Sequence, residues 1–376
     1  MVEWKELDSL LDFEQPTPYL VKSTEYDESF DVPVLTAGQS LILGYTNETD
    51  GIYRANKENP TIIFDDFTTS FHWINYNFKV KSSAMKMLRP KKGVNFRYVF
   101  YSMCGITFVP GGHQRHWISK YSHFQIPIPS HSEQTRIVGI LDTFTASIDN
   151  LKQQIAQRRK QYDWYLDKLF YANKSELLEA FKKEDANVMT LDEIGTFTRG
   201  RRFVRTDIVP EGVPCIHYGD MYTYYGVWAN KTPTHLTKEH SKKLRCAKKG
   251  DVIIVGAGEN DIDIGVGVAW LGDEDVVIHD ACYIFKHNMN PKYLSYFMRS
   301  NNYHLQIRMG VVDGKICSIS AKELGKTLIA VPSLEEQSRI VSILDTFEAS
   351  IANLESQLKE REKQYEYYRN KLLTFE

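Results

Sequence analysis

The 376 residues suffice for two or three domains with proper cores. A composition of 42% hydrophobic and 25% charged residues excludes disorder and fibrous repeats. A net charge of -2 excludes a globally basic nucleic-acid binder, so any such contact has to come from local patches. The five cysteines, Cys104, Cys215, Cys246, Cys282 and Cys317, are odd in number and contain no C-x-x-C pair. That argues against a zinc site or disulfide framework and for a reducing, cytoplasmic setting. No stretch approaches the ~18 apolar residues that span a bilayer, and the acidic opening MVEWKELDSLLDF lacks the basic-then-apolar order of a secretory leader.

The first segment, residues 1–128, reads as a mixed α+β globule. Ile74, Tyr76, Phe78 and Val80 alternate as in a half-buried strand, with Asn75, Asn77 and Lys79 facing the other way. Lys79, Lys81, Ser82, Lys86 and Arg89, together with Lys91 and Lys92, concentrate positive charge in a strand-to-helix passage. Downstream lies Gly111-Gly112-His113-Gln114-Arg115.

Residues 129–170 form the first long helix. Pro129 precedes a Ser130-x-x-Glu133 capping box, in which the serine accepts from a free first-turn N–H and the glutamate reaches back to the cap residue. Seam positions then step by four and three: Ile137, Leu141, Phe144, Ile148, Leu151, Ile155, Arg158, Tyr162, Tyr165 and Leu169. Residues 171–187 are charged and read as a surface connector.

The second globule, residues 188–331, carries the basic run Arg199, Gly200, Arg201, Arg202 and Arg205, in which a glycine among arginines permits close backbone approach to a ligand. Lys242, Lys243, Arg245, Lys248 and Lys249 add charge, and Tyr222, Tyr224 and Tyr225 offer stacking faces. An apolar run at Val252 to Val255, alternation from Ile264 to Leu271, and β-rich stretches at Val276 to Ile278 and Cys282 to Phe285 read as strands. Gly256 and Gly258 follow the first of these and suggest a tight turn at a ligand-facing edge. The third glycine of a nucleotide-binding turn is missing, and the acidic run Glu259-Asn260-Asp261-Ile262-Asp263 would repel phosphate.

Residues 332–376 repeat the first long helix. The segments beginning at Pro129 and Pro332 agree without a gap at about 25 of roughly 42 positions, far beyond chance. Ser333 and Glu336 repeat the cap. Ile340, Leu344, Phe347, Ile351, Leu354, Leu358, Arg361, Tyr365, Tyr368 and Leu372 repeat the seam. About 33 residues per helix at 1.5 Å each make a rod of roughly 50 Å, and Arg158 and Arg361 interrupt the two seams at equivalent places, which suits a register-fixing role. Two matched helices in one chain are expected to pair with each other as an intrachain antiparallel coiled coil, whose seam and outward faces also offer subunit-docking surfaces. Weaker echoes precede each helix. Asn95, Arg97, Tyr98 and Tyr101 match Asn290, Lys292, Tyr293 and Tyr296, and Val32-Pro33-Val34-Leu35 with Gly38 matches Val213-Pro214-Cys215-Ile216 with Gly219. The fold class is therefore α+β: two mixed domains separated by two long helices, as a pseudo-two-fold internal repeat.

Ile126-Pro127-Ile128-Pro129 with Glu133-Gln134, Ile137-Val138 and Leu141-Asp142, and the second set around Pro332, Glu336-Gln337 and Leu344-Asp345, resemble the specificity subunits of type I restriction-modification systems. The stretch from Gly111 through Gln114 and Arg115 to Ile118-Ser119 is similar to that family's G-G-x-Q-[KR]-x-x-[IL]-S. The second copy, from Gly310 through Lys315 to Ile319-Ser320, has no glutamine. The resemblance implies two target-recognition domains reading a bipartite, asymmetric double-stranded DNA site. It also implies two docked methyltransferase subunits that use S-adenosylmethionine, and restriction motor subunits that use ATP and Mg. No cofactor is implied for this chain. Half-sites centred about one helical turn apart, 34 Å or 10 bp, would let both domains enter one DNA face.

A base-flipping Asn/Asp-Pro-Pro-aromatic loop, an Asp…Glu-x-Lys nuclease set outside the helices, and a P-loop are all missing, which favours a non-catalytic DNA-binding subunit. Two other readings stay open from the sequence: a self-contained DNA-acting enzyme such as a nuclease, and a coiled-coil scaffold unrelated to DNA.

Overall fold

The computed structural model describes residues 2–36, 40–112, 114–171, 173–183, 187–259 and 261–375. Gly38, His113 and Asn260, which figure in the sequence patterns above, lie outside the described residues, as does the side chain of Tyr222. The chain divides into two units: Met1–Lys152 with Ser356–Glu376, and Gln153–Glu355. Each unit therefore owns one mixed domain and a portion of both long helices.

In the first unit a sheet runs in the order Leu11–Glu14, Met85–Pro90, Thr61–Asp65, Phe71–Ile74, all antiparallel. Beside it Val32–Leu35 pairs in parallel with Lys79–Val80. In the second unit the corresponding order is Gly195–Arg199, Cys282–His287, Val252–Val255, Gly267–Trp270, with Trp228–Ala229 added at the far edge. There Val213–Ile216 pairs in parallel with Val276–Ile278. The Val-Pro echo in the sequence thus marks the same parallel pair in both domains. Each domain also closes in the same way: Glu3–Glu6 pairs with Gln125–Ile128, and Val188–Thr190 with Leu328–Ala330, just ahead of the long helix. The topology repeats although most of the side chains do not.

Two readings need correction here. Residues 74–80 do not form one strand, because the chain leaves the sheet after Ile74 and re-enters as Lys79–Val80 beside Val34 and Leu35. Ile264 to Leu271 does not alternate either. Its strand, Gly267–Trp270, is buried at every position between the sheet and the Pro291–Phe297 helix. Within the connector, Lys174–Lys182 is helical and docks through the fully buried Leu177, whereas Ala172 and residues 184–186 lie outside the described set.

The long helices are His131–Leu169 and Leu334–Leu373, with 39 and 40 residues. At 1.5 Å per residue each runs for roughly 60 Å. Both start as the caps require: the Glu133 N–H donates to Ser130 Oγ at 3.3 Å and the Glu336 N–H to Ser333 Oγ at 3.2 Å. The reciprocal half differs from expectation, since the Glu133 and Glu336 carboxylates are instead taken by Arg136 and Arg339, each in two bonds of 2.6 to 2.8 Å. A bidentate guanidinium outcompetes a single backbone N–H.

Inside each unit the two helices run antiparallel. In the first, Phe144 stacks on Tyr368 at 5.3 Å and Lys152 pairs with Glu362. In the second, Tyr165 meets Phe347 at 5.0 Å and Arg159 pairs with Glu355. The two arginines that interrupt the seam have a structural use. Arg158 lies over the Phe347 ring at 5.7 Å and Arg361 over Phe144 at 5.8 Å, a reciprocal cation–π contact that favours this register. Ile137, Leu141, Ile148, Leu151, Ile155, Ile340 and Leu344 are buried, and Phe144, Tyr162, Phe347, Ile351, Leu354, Leu358 and Tyr365 are half-buried. No helix among the described residues is long and apolar enough to cross a membrane.

The Glu-Gln pair of each helix start is explained by its second member. Gln337 is 2% exposed; its amide donates to the Pro332 carbonyl at 2.8 Å and its oxygen accepts from the Asn290 N–H at 2.9 Å. Gln134 repeats the first of these bonds to Pro129 at 2.9 Å. Gln337→Ala orphans a backbone donor and should destabilise the second unit by about 1–3 kcal/mol. Gln134→Ala, which removes one bond, should cost less. Chemical denaturation of the two variants side by side measures both.

Candidate nucleic-acid interface

The basic run of the second domain is anchored by two residues that carry no charge. Gly200 passes so close to the sheet that a Cβ there would sit 2.2 Å from the His279 carbonyl oxygen. Backbone bonds from the Gly200 N–H to Cys282 and from the Arg201 N–H to Ile278 fix the approach. Three residues on, Phe203 is 2% exposed and plugs the loop against His279, 5.2 Å between rings. With both ends pinned, Arg199, Arg201, Arg202 and Arg205 point to solvent.

The fold brings a second basic segment to this loop. Arg201 donates to the Lys243 carbonyl at 2.7 Å, and Arg245 donates to the Arg199 carbonyl at 2.5 Å. Arg199 is further steadied on the Asp280 carbonyl at 2.7 Å. Arg205 lies beside Gly219, where a Cβ would come within 3.1 Å of its guanidinium. Beneath the loop, His217 and His279 are nearly buried with ring centroids 4.6 Å apart, and burial pushes both imidazoles below their ordinary range. The cations of the loop therefore face outward above a pair of packed imidazole rings.

Of the other candidates in this domain, Tyr224 is 65% exposed and Lys315 is exposed on the loop following Gly310. Gly256 and Gly258 are structural. A Cβ on Gly256 would meet the Tyr283 ring at 2.4 Å, and Gly258 is buried in a short strand, Ala257–Gly258, paired with Cys317–Ser318. The expected turn at an exposed edge is thus a packed strand.

In the first domain two lysines leave the candidate set. Lys79 is 1% exposed, its ammonium 2.9 Å from Glu48 and 2.6 Å from the Asp50 carbonyl. Lys86 is also 1% exposed and pairs with Asp66 at 3.1 Å. Neither ammonium can reach a phosphate without breaking a buried pair. Arg89 keeps partial exposure but is engaged by Glu14 at 2.8 Å and the Tyr53 hydroxyl at 2.7 Å. Ser82 accepts from the Ala84 N–H at 3.1 Å and shapes the turn, while Lys81 is exposed beside the Tyr26 ring.

Gln114 and Arg115 are exposed. The residues after them are not: the Trp117 N–H donates to the Asp66 carboxylate at 2.7 Å and the His116 N–H to the Asp66 carbonyl at 2.8 Å. The buried Lys86–Asp66 pair therefore anchors the exposed glutamine–arginine loop. Sequence reasoning missed this anchor and also the apolar side chains that flank the equivalent loops. Val109 and Ile118 are 84% and 61% exposed in one domain, and Met309 and Ile316 are 93% and 63% exposed in the other. Exposure of this kind has no sequence signature.

The profile of the type I restriction modification DNA specificity domain matches residues 1–158 and 183–363, so the chain belongs to that family. Over its whole length, and over 94% of the relative, it is 36% identical to the type I restriction enzyme EcoR124I/EcoR124II specificity subunit of Escherichia coli. The fold matches the S subunit of a type I restriction-modification system from M. genitalium with a TM-score of 0.60, covering 100% of this chain and 97% of the other at 17% identity. A chain from a structure describing complex assembly and conformational transition of a type I system matches with a TM-score of 0.52 at 15% identity, covering 99% and 96%.

The buried and exposed cations should separate by experiment. Lys86→Ala leaves the Asp66 carboxylate buried and unpaired and should destabilise the first unit by about 3–5 kcal/mol. The double variant Arg201→Ala, Arg202→Ala should leave the thermal midpoint unchanged. It should also weaken DNA binding and make it less steeply dependent on salt, because two exposed cations are removed. Thermal unfolding and a salt titration of DNA binding check the pair of outcomes.

Proposed function

We propose that this chain is the part of a type I restriction-modification complex that chooses the DNA sequence, reading a bipartite, asymmetric target and performing no chemistry itself. Residues 1–128 and 188–331 are the two recognition domains, 129–170 and 332–376 the helical frame, and 171–187 the connector. The observation that supports this best is a single topology built twice, with matched frames and diverged exposed loops. Matched frames suit a partner that binds twice, and diverged loops suit two different half-sites.

Two methyltransferase subunits dock on the equivalent helical surfaces and bring S-adenosylmethionine. Motor subunits bring ATP and Mg when the complex cleaves. In the second domain the Arg199 to Arg205 loop with Tyr224 and Lys315 meets DNA, and in the first the Gln114–Arg115 loop with Lys81. Lys and Arg contacts to phosphate fix position, and bidentate arginine or glutamine contacts to base edges fix choice. The two half-site centres lie about one helical turn, 10 bp, apart.

Methylome sequencing of a host with and without the gene tests the reading. A methylated motif of two short specified parts flanking an unspecified spacer should vanish on deletion, and an unchanged methylome refutes the proposal. Arg201→Ala, Arg202→Ala should relax one half of that motif and leave the other intact.

A further inference from the structure

In each unit the recognition domain meets its own helix pair through the same charged joint, built from residues that lie far apart in sequence. In the first unit, Asp142 of the long helix accepts from Arg97 Nε at 2.7 Å and from the Tyr101 hydroxyl at 2.5 Å. The Arg97 guanidinium lies 4.6 Å from the Trp73 ring centroid on the sheet edge. In the second unit, Asp345 accepts from the Lys292 ammonium and from the Tyr296 hydroxyl, the latter at 2.6 Å. Lys292 lies 5.3 Å from the Trp228 ring centroid.

The aspartate, cation and tyrosine are equivalent by the sequence repeat. The tryptophans are not, since Trp73 sits on the strand Phe71–Ile74 and Trp228 on the added edge strand Trp228–Ala229. The same stack of ring, cation and carboxylate has thus been completed from different places.

Stability alone is a weak reason for this joint. The side chains of Asp142 and Asp345 are 45% and 38% exposed, against 24% and 16% for Arg97 and Lys292, and an ion pair whose carboxylate is open to solvent contributes little to folding. Attachment is already provided by buried bonds nearby, from the Tyr98 hydroxyl to the Pro127 carbonyl at 2.7 Å and from the Tyr293 hydroxyl to the Ala330 carbonyl at 3.0 Å. Those bonds tie the short helix to the strand before the long helix. A further contact to the long helix itself, about three turns from its start, adds a second fixed point and removes rotation about the first.

We infer that Asp142 and Asp345 are positioning residues: each locks the angle between its recognition domain and its helix pair, and so sets how strictly the complex demands one spacer length. This rests on the bipartite reading above. Loosening a joint should leave the bases read in each half unchanged and widen the range of spacers accepted.

The test uses the chain assembled with its methyltransferase. The probes are duplexes carrying the motif found by methylome sequencing, with the native spacer, one base pair fewer and one more. For Asp142→Asn or Asp345→Asn, methylation on the altered spacers relative to the native one should rise about tenfold, the weight of one charge-assisted hydrogen bond. Arg97→Lys and Lys292→Arg, which give each joint the other's cation, should keep the wild-type ratio. A lower melting temperature with an unchanged spacer ratio would overturn the inference and leave the bipartite reading standing. Wild-type indifference to spacer length would overturn both.

Discussion

The constraint from which the rest follows is the apolar seam repeated along two helices of 39 and 40 residues. A stripe of that length has to be covered, and the only equally long partner among the described residues is its own copy. Antiparallel pairing puts the start of one helix beside the end of the other. Phe144 therefore meets Tyr368, and Phe347 meets Tyr165, in contacts that exchange roles between the two units. Each unit then contains one helix start, and each helix start is where a recognition domain is attached. The duplication of the frame and the duplication of the attachment are one fact.

The parts of this arrangement visible in sequence are those governed by local rules. Caps at Ser130 and Ser333 and the three-and-four spacing of the seam depend on neighbours within one or two turns, and both were legible. The Asn95 and Asn290 motifs were also visible as a pattern, but their meaning was not. Arg97 and Lys292 matter because of Asp142 and Asp345, which are 45 and 53 residues away. The common strand order of the two domains was hidden for a related reason. Strand pairing requires only that apolar faces match, so side chains diverge while the order persists, and only Val32–Leu35 and Val213–Ile216 kept enough identity to be recognised.

Charge was the least reliable guide to the candidate interface. Lys79, Lys81 and Lys86 look alike in sequence, yet two are interior and one is exposed. What separates them is whether an acid waits at the right place: Glu48 for Lys79 and Asp66 for Lys86. The Arg199 to Arg205 run is exposed because Gly200 and Phe203 are consumed by packing, which forces the arginines outward. Glycine and an aromatic within a basic run are thus more informative than the number of cations. The Lys86–Asp66 pair retains an indirect bearing on the interface, since Asp66 also holds the backbone of His116 and Trp117 next to Gln114 and Arg115.

The surroundings of the two joints show which part of them is retained. Next to Tyr101 and Asp142 stand Cys104 and Thr145, and the equivalent positions in the second unit are Arg299 and Glu348. A neutral pair in one copy is a charged pair in the other. Arg299 is occupied by the carbonyls of Gly226 and Ser295, at 2.6 and 2.8 Å, and burial pushes the Glu348 carboxyl up against the opposing pull of Arg299. Both positions thus differ in charge between the two copies, and Glu348 also feels the Lys292 ammonium of the joint itself. Through that exchange the aspartate, cation and tyrosine kept their chemistry, even where the supporting tryptophan had to come from another strand. A contact that contributes little to folding, and is nevertheless rebuilt around different neighbours, is maintained for the geometry it imposes.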